Sequence, residues 1–480
     1  MKTMKSIFKL KTVHLAKLLF FATITLSLHN CSDDADDITD TTIVVDNTIA
    51  VTDETTRLVI EWGNLWLNID QYTDGMRPNS ITRALAYIHL TGYETAVPFM
   101  SNYTSNSSRL NNFNINPNVF NGNVNLDYAL NTAYSIALNH FMFSTSIDFS
   151  DEISTFRIQK EEALFAELTT LEIENSERWG RHIAERVINY SRSDQEAERQ
   201  IFNPTPSDYI APVGDALWAA AEGEAAWFPY WREVRTFAIT PEESSSVSFS
   251  DLLTYSTDSS SDYYASMLSV YETSSEAMTT NDEELWIAEF WADDVEGLMI
   301  SPPGRQFSIA NQLIEQYHLS YDRALELLLR LGFAVNDAAV SAWDDKYTYN
   351  TQRPSTYINN NIDADFTTNL ARFISSPNPA FPSYPSGHAT FAGAAGGVFI
   401  SFFGTDNISF TDRTYEDFNY VTTFNGNPRS FTSFTQMAYE NAYSRVPLGV
   451  HIIEDSTEGL RLGYEIADAV NALDLFSANP

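Results

Sequence analysis

Over most of this chain, apolar residues recur at helical rather than alternating spacing. From about Asp53 the pattern turns helical, with Trp62, Leu65, Trp66 and Ile69 on one face; after the Pro78-Asn79 break it resumes through Ile81, Leu85, Ile88 and Leu90. Residues 101–123 are rich in Asn and Ser, hold no period, and predict a surface loop. Helical patterning returns near Asp127 and takes in Glu161 to Leu171 and Arg178 to Tyr190. A serine-rich stretch from Thr240 to Asp262 predicts a second irregular segment. The longest helix covers 321–345, where Leu325, Leu328, Leu331, Val335 and Ala339 keep step, and a small-residue helix follows from Ala389 to Val398. Between them and the C-terminus, the polar and aromatic insert 405–433, with its Asn425-Gly426 turn signal, predicts a hairpin or a lid. No run of alternating strands and no fixed-period repeat appears. The expectation is an all-α fold of helical bundles.

Composition adds an address and a surface. Five lysines precede an apolar run from Leu18 to Leu28 that is too short to span a bilayer, so residues 1–30 predict a signal peptide. Leu28-His29-Asn30-Cys31 resembles a bacterial lipobox, with Cys31 as the lipidated first residue, and the acidic run after it makes 31–50 a tether resembling a surface-export signal. Cys31 is the one cysteine in 480 residues, which excludes a disulfide framework and thiol catalysis. Losing the five lysines would take the formal charge from −36 to −41, a surface unsuited to nucleic acid or anionic lipid. The expected location is extracytoplasmic, on the outer membrane or cell surface, with the membrane met only through the lipid anchor. Beyond the tether, 51–330 is expected to be a helical scaffold, with His89, His140, His182 and His318 as satisfied core or surface residues. The chemistry is expected in 331–475.

In that last third, Lys346 stands before Arg353-Pro354, Pro385-Ser386-Gly387-His388 follows, and Ser444-Arg445 leads to His451 and Asp455. Three permanent cations, two imidazoles, a hydroxyl, a glycine amide and a carboxylate describe a pocket for a tetrahedral oxyanion. Arg353 and Arg445 offer paired N–H donors and Lys346 a point charge. Ser386 can donate its hydroxyl, and Gly387 lets a backbone amide come close. His388 can move protons near neutral pH. His451 and Asp455 share a helical face at four-residue spacing, so the carboxylate can hold one ring nitrogen and leave the other free to attack or ligate. The N-terminus of the helix after Ser386 would add partial positive charge.

These eleven residues match the signature K-x6-RP, PSGH, SR-x5-H-x3-D. The chain thereby resembles the superfamily of type 2 phosphatidic acid phosphatases, bacterial acid phosphatases and vanadium-dependent haloperoxidases. Trp343 and the run from Phe381 to Phe391 resemble the haloperoxidase branch. The resemblance implies vanadate at one end of the C-terminal bundle, with His451 as its nitrogen ligand and Lys346, Arg353, Ser386, Gly387 and Arg445 around its oxygens. It implies His388 as the acid-base group, Trp343 and Phe381 as halide-pocket candidates, and Asp294, from Glu289-Phe290-Trp291-Ala292-Asp293-Asp294, as a brace for Arg445. The implied activity is oxidation of a halide by hydrogen peroxide to a hypohalous-acid equivalent, with a small organic acceptor admitted. The alternative is a phosphomonoesterase in which His451 is the nucleophile. A surface binding lipoprotein with a vestigial site is disfavoured, since every catalytic position is filled. For the lipobox, mass spectrometry of the native N-terminus should find acylated Cys31; a soluble product cut elsewhere, without acyl mass, would refute it.

Overall fold

The computed structural model describes residues 54–476 apart from 74, 145, 298, 374, 375, 377 and 418–426. The signal peptide, the acidic tether, Cys31 and the Asn425-Gly426 turn lie outside the described residues. Helices α1 (Glu54–Asp70) and α2 (Asn79–Ala96) follow the two periodic stretches, and 101–123 is irregular apart from short 3-10 turns. Then come α3 (Leu126–Phe141), α4 (Ile147–Phe165), α5 (Thr170–Arg192) and α6 (Gln195–Phe202). The expected helical run Glu161 to Leu171 is in fact interrupted. At the break, Thr169 caps α5, its hydroxyl accepting from Glu172 N at 3.3 Å while Glu172 accepts from Thr169 N at 2.9 Å, a reciprocal box that starts a new helix.

A longer departure follows. Residues 203–248, placed in the helical scaffold by their position, carry no helix beyond the turn Trp231–Glu233. Pro204, Pro206, Pro212, Pro229 and Pro241 remove donors along it. Its backbone is tied down instead by tertiary partners: Trp218 N donates to Asn350 O (2.8 Å), Gln352 N to Ala216 O (2.8 Å) and Trp227 N to Ala380 O (3.0 Å). Asp337 accepts from the amides of Phe237, Ala238 and Ile239 at 2.8–3.2 Å. The serine-rich stretch is irregular as expected, save for the turn Phe249–Leu252.

The remaining strands and longer helices are α7 (Asp262–Thr279), α8 (Asp282–Phe290), α9 (Pro302–Gln316), α10 (Tyr321–Tyr349), α11 (Pro354–Asn361), α12 (Gly387–Phe403), β1 (Phe410–Asp412), β2 (Arg429–Phe431), α13 (Phe434–Tyr443) and α14 (Ile453–Asn471), with short helical turns at Asn369–Arg372 and Thr414–Asp417. The insert does form a hairpin-like pair, Phe410 lying opposite Phe431 in antiparallel register. It is not a lid in its described part: Asp412 meets Arg305 of α9 at 3.3 Å, Arg429 holds Glu440 of α13, and no described residue of 405–433 lines the cavity at the site. No described helix is long and apolar enough to cross a membrane.

Helix α10 is buried on nearly all sides from Ala324 to Trp343, as a central helix must be if it is apolar all round. It packs on α2, α12 and α14, and the most extensive pairing in the fold is α12 on α14. That pairing depends on missing side chains. A Cβ at Gly459 would stand 2.6 Å from Ser386 O and 2.8 Å from Ala389 Cβ. The two helix starts, which carry Ser386 and Asp455, are held together by Ser386 N donating to Asp455 O at 3.0 Å. Gly459→Ala should therefore lower stability by about 1–3 kcal/mol through overpacking, despite the ~1 kcal/mol that alanine gains in helix propensity. Urea denaturation measures it; an unchanged or raised stability would show that the crossing is loose.

Candidate active site

Each cation of the signature sits at the end of an element. Helix α10 stops where Asn350 takes a left-handed conformation (φ 49°) and its amide caps Lys346 O, leaving Lys346 in the last turn, where a helix favours positive charge. Lys346 Nζ donates to Pro382 O (3.0 Å), Ser383 O (2.8 Å) and Pro385 O (2.5 Å), and lies over the rings of Phe381 (5.2 Å) and Trp343 (5.6 Å). Pro354 opens α11, so Arg353 is its cap residue. Arg353 donates Nε–H to Phe381 O (3.1 Å) and Nη1–H to Val450 O (3.1 Å) and His451 Nε2 (3.1 Å). Arg445 follows α13 and donates Nη2–H to Asp294 Oδ2 at 2.7 Å, the brace expected for it. Neighbouring Asp293 turns the other way, to Arg305.

The imidazoles are differently placed. His451 stands just ahead of α14 and Asp455 in its first turn, so the pair spans the helix start and does not share one helical face as expected, yet Nδ1 and Oδ2 meet at 2.9 Å. Arginine can only donate, so the Arg353 contact makes His451 Nε2 the acceptor and places the ring proton on Nδ1, which donates to Asp455. Ser383, absent from the expected set, donates its hydroxyl to Asp455 Oδ2 at 2.6 Å and fixes the carboxylate from the other side. His388 opens α12 beside Gly387. Ser386 caps α12 by accepting from Ala389 N (3.4 Å), which leaves its hydroxyl hydrogen for another partner.

Lys346, Arg353, Ser386, Arg445, His451 and Asp455 are each at most 2% exposed, and His388 only 7%. Burial and mutual repulsion shape their titration. Burial, then Arg353, pushes the Lys346 ammonium down, and burial lowers Arg353 to about 9. Burial, then Arg445, brings His388 to about 3, and burial with the Arg353 charge drives His451 well below the usual imidazole range. Burial raises Asp455 to about 6. Asp294 is held low: burial would raise it, but Arg445 and then His388 outweigh that.

A cavity of about 300 Å³ opens above these groups. Gly387, His388, Arg445 and His451 reach its floor; Trp343, Phe381 and Phe391 are among its apolar walls. Trp343 and Phe381 pack 4.9 Å apart, centre to centre. Arg77, Pro78 and Trp227 complete the rim from distant parts of the chain. Trp227 has no sequence signal, since it lies in the aperiodic 203–248. Of the histidines outside the site, His89 is buried and stacked on Phe307 (4.7 Å), but neither ring nitrogen has a partner among the described residues, so it is core without being satisfied. His182 accepts from Asn116 N at 3.3 Å.

His388 offers a pH test. Its folded value of about 3 lies below the ordinary 6.5, so between those limits the unfolded chain binds a proton that the folded one refuses. Stability contributed by the neutral ring is thus present above pH 6.5 and is lost as pH falls. In buffer free of oxyanions, His388→Gln should lose less stability than the parent between pH 7 and 5, by about 2 kcal/mol. Denaturant titrations at both pH values measure the difference; parallel losses would mean that the ring charges freely in the fold.

Residues 326–476 match the family model described as the VCPO second helical-bundle domain. The vanadium chloroperoxidase of Curvularia inaequalis is 27% identical over 209 residues, 34% of this chain and 34% of that protein, so the chain spans about a third of the length of this curated relative. The crystal structure of a bacterial vanadium-dependent iodoperoxidase superposes with a TM-score of 0.75 at 24% identity, covering 89% of this chain and 98% of that one. A holo-type bacterial vanadium-dependent chloroperoxidase gives 0.57 at 15% identity, covering 83% and 92%. Residues 326–476 are thus similar to the VCPO second helical-bundle domain, and the chain has the helical fold of the vanadium haloperoxidases.

Proposed function

We propose that this chain is a vanadium-dependent haloperoxidase, using hydrogen peroxide to oxidise a halide to a hypohalous-acid equivalent. One observation carries the reading: buried donors converge without partners. Arg353 Nη2, Arg445 Nε and Nη1, and His388 Nε2 have no hydrogen-bond partner among the described residues, and three cations, Lys346, Arg353 and Arg445, are buried together and repel one another. Unpaired buried donors and uncompensated charge are costly, and a bound oxyanion offsets both. The donor set also fits a metal that arrives as an anion. Among the described residues no group of three or more His, Cys, Asp or Glu could hold a bare cation, which the three positive side chains would repel.

In this reading Lys346, Arg353, Ser386, Gly387 and Arg445 hold the vanadate oxygens, and His451 Nε2, with Asp455 fixing its tautomer, is the nitrogen ligand. Vanadate when bound supplies a Lewis-acidic centre that draws electron density from the O–O bond of peroxide. Lys346 reinforces that withdrawal through its charge. Because Arg353 Nη1–H and a metal would compete for the same lone pair on His451, the arginine is free to turn to the anion when the ring ligates. In the tautomer that leaves Nε2 unprotonated, neutral His388 would take a proton from hydrogen peroxide at that buried atom and hold it for return to a departing oxygen. A bound anion offsets the field of Arg445, Lys346 and Arg353 on the ring and raises its proton affinity toward the working pH. Trp343 and Phe381 line the cavity on the side from which a weakly hydrated halide would approach, and a small organic acceptor would enter by the same mouth. The lipid anchor at Cys31 and a place on the outer membrane or cell surface, as its N-terminal run suggests, belong to the same reading.

Purified protein, with and without orthovanadate, is to be assayed with hydrogen peroxide and each halide, beside a phosphomonoester. We expect halide oxidation that requires vanadium, inhibited competitively by phosphate. His451→Ala should lose both vanadium and turnover. His388→Ala should keep vanadium and lose about two to four orders of magnitude in rate. Phosphomonoester hydrolysis without vanadium-dependent halide oxidation would replace this reading with a phosphatase using His451 as nucleophile.

A further inference from the structure

Behind the segment Met76–Ser80 lies a second cavity that the active-site chemistry does not use. It holds about 240 Å³ and is walled by α2, α3, α6 and the end of α5. Met76 and Ser80 face it, while Arg77 and Pro78, between them in sequence, face the active-site cavity. We propose that it binds a small monoanion with an apolar tail, such as a medium-chain carboxylate.

Three independent observations meet there. First, two buried polar atoms on its wall lack partners among the described residues: Ser80 Oγ and Arg83 Nε, on residues 2% and 3% exposed. An unsatisfied buried donor or acceptor is expensive, and a carboxylate takes from both. Secondly, an exposed cation stands at the cavity without a carboxylate partner among the described residues. Arg83 is answered by Glu198 at 3.0 Å, whereas Arg192, on the same wall, has no ion pair among the described residues. Its positive charge, with that of Arg83, also acts to lower His140 beside it, after burial. Thirdly, the far wall is apolar and uncovered: Phe143 and Phe202 are 41% and 73% exposed and pack on each other 5.3 Å apart. Two large exposed rings and two buried, unpaired polar atoms on the wall of one cavity describe a head-and-tail site, and the volume of about 240 Å³ is a little below the ~300–1,000 Å³ of drug-sized pockets.

Calorimetric titration of the full protein with sodium octanoate, in saturating orthovanadate so that the active-site cations are engaged, tests the proposal. We expect saturable one-to-one binding, with hexanoate weaker and octylamine not bound. Arg83→Met should weaken octanoate about tenfold or more, the loss expected for a charge-assisted hydrogen bond. Phe202→Ser, at an exposed position that leaves folding alone, should weaken octanoate several-fold through the lost wall. No saturable binding, binding that neither substitution changes, or octanoate bound only when vanadate is withheld would each overturn the proposal, the last by placing the carboxylate in the active-site cavity.

Discussion

Like charges buried together repel, and the architecture of the last third of this chain is arranged around that repulsion. Lys346, Arg353 and Arg445 are each nearly inaccessible to solvent, yet only Arg445 has a carboxylate to itself, Asp294 at 2.7 Å. Asp455 is engaged by His451 and Ser383. Lys346 and Arg353 are stabilised instead by main-chain carbonyls and aromatic faces, which orient a cation without cancelling its charge. Had aspartates stood where those carbonyls stand, they would cancel the positive charge on which the proposed anion binding rests. The fold tolerates the strain because the neighbouring helices are held from outside, by packing and by hydrogen bonds that do not involve the charges.

That outside hold comes from three sources. The glycine-lined crossing of α12 and α14 brings the start of one helix to the start of the other, so that Ser386, Gly387 and Asp455 arrive together. Helix α10 delivers Trp343 and Lys346 at its end, and the left-handed Asn350 fixes where it stops. The proline-rich run 203–248 is laid across that end by backbone hydrogen bonds to Asn350, Gln352 and Ala380, and carries Trp227 to the rim.

Different physics governs what could be read in advance. The chemistry expected of a tetrahedral-anion pocket restricts residue types so severely that the eleven signature positions stand out in the sequence, as do the long apolar helices whose spacing is set by burial; the Arg445–Asp294 contact was implied by the resemblance alone. Ser383 was not: a serine in a turn has many uses, and only the meeting of its hydroxyl with Asp455 Oδ2 reveals this one. Trp227 lies in a segment ordered by partners far away in sequence, which leave no period. The break between α4 and α5 was missed because apolar spacing continues across it, while the capping box of Thr169 and Glu172 decides locally. At His89, too, the bland reading held only in part, since burial came without partners for its ring.

Helix α10 has one more consequence. The matched region begins at residue 326, five residues into a helix that starts at Tyr321 and whose midpoint lies against α2, where a Cβ on Gly332 would come 3.0 Å from Ala86 Cα. The rod that carries Lys346 into the site is therefore also the core of the N-terminal helices, and a transplanted C-terminal bundle would bring one naked hydrophobic flank with it. Exchange of halves between relatives, by recombination or by design, has to carry α2 along with α10 or rebuild the face between them; the two parts of this chain are spliced along a shared timber rather than bolted end to end.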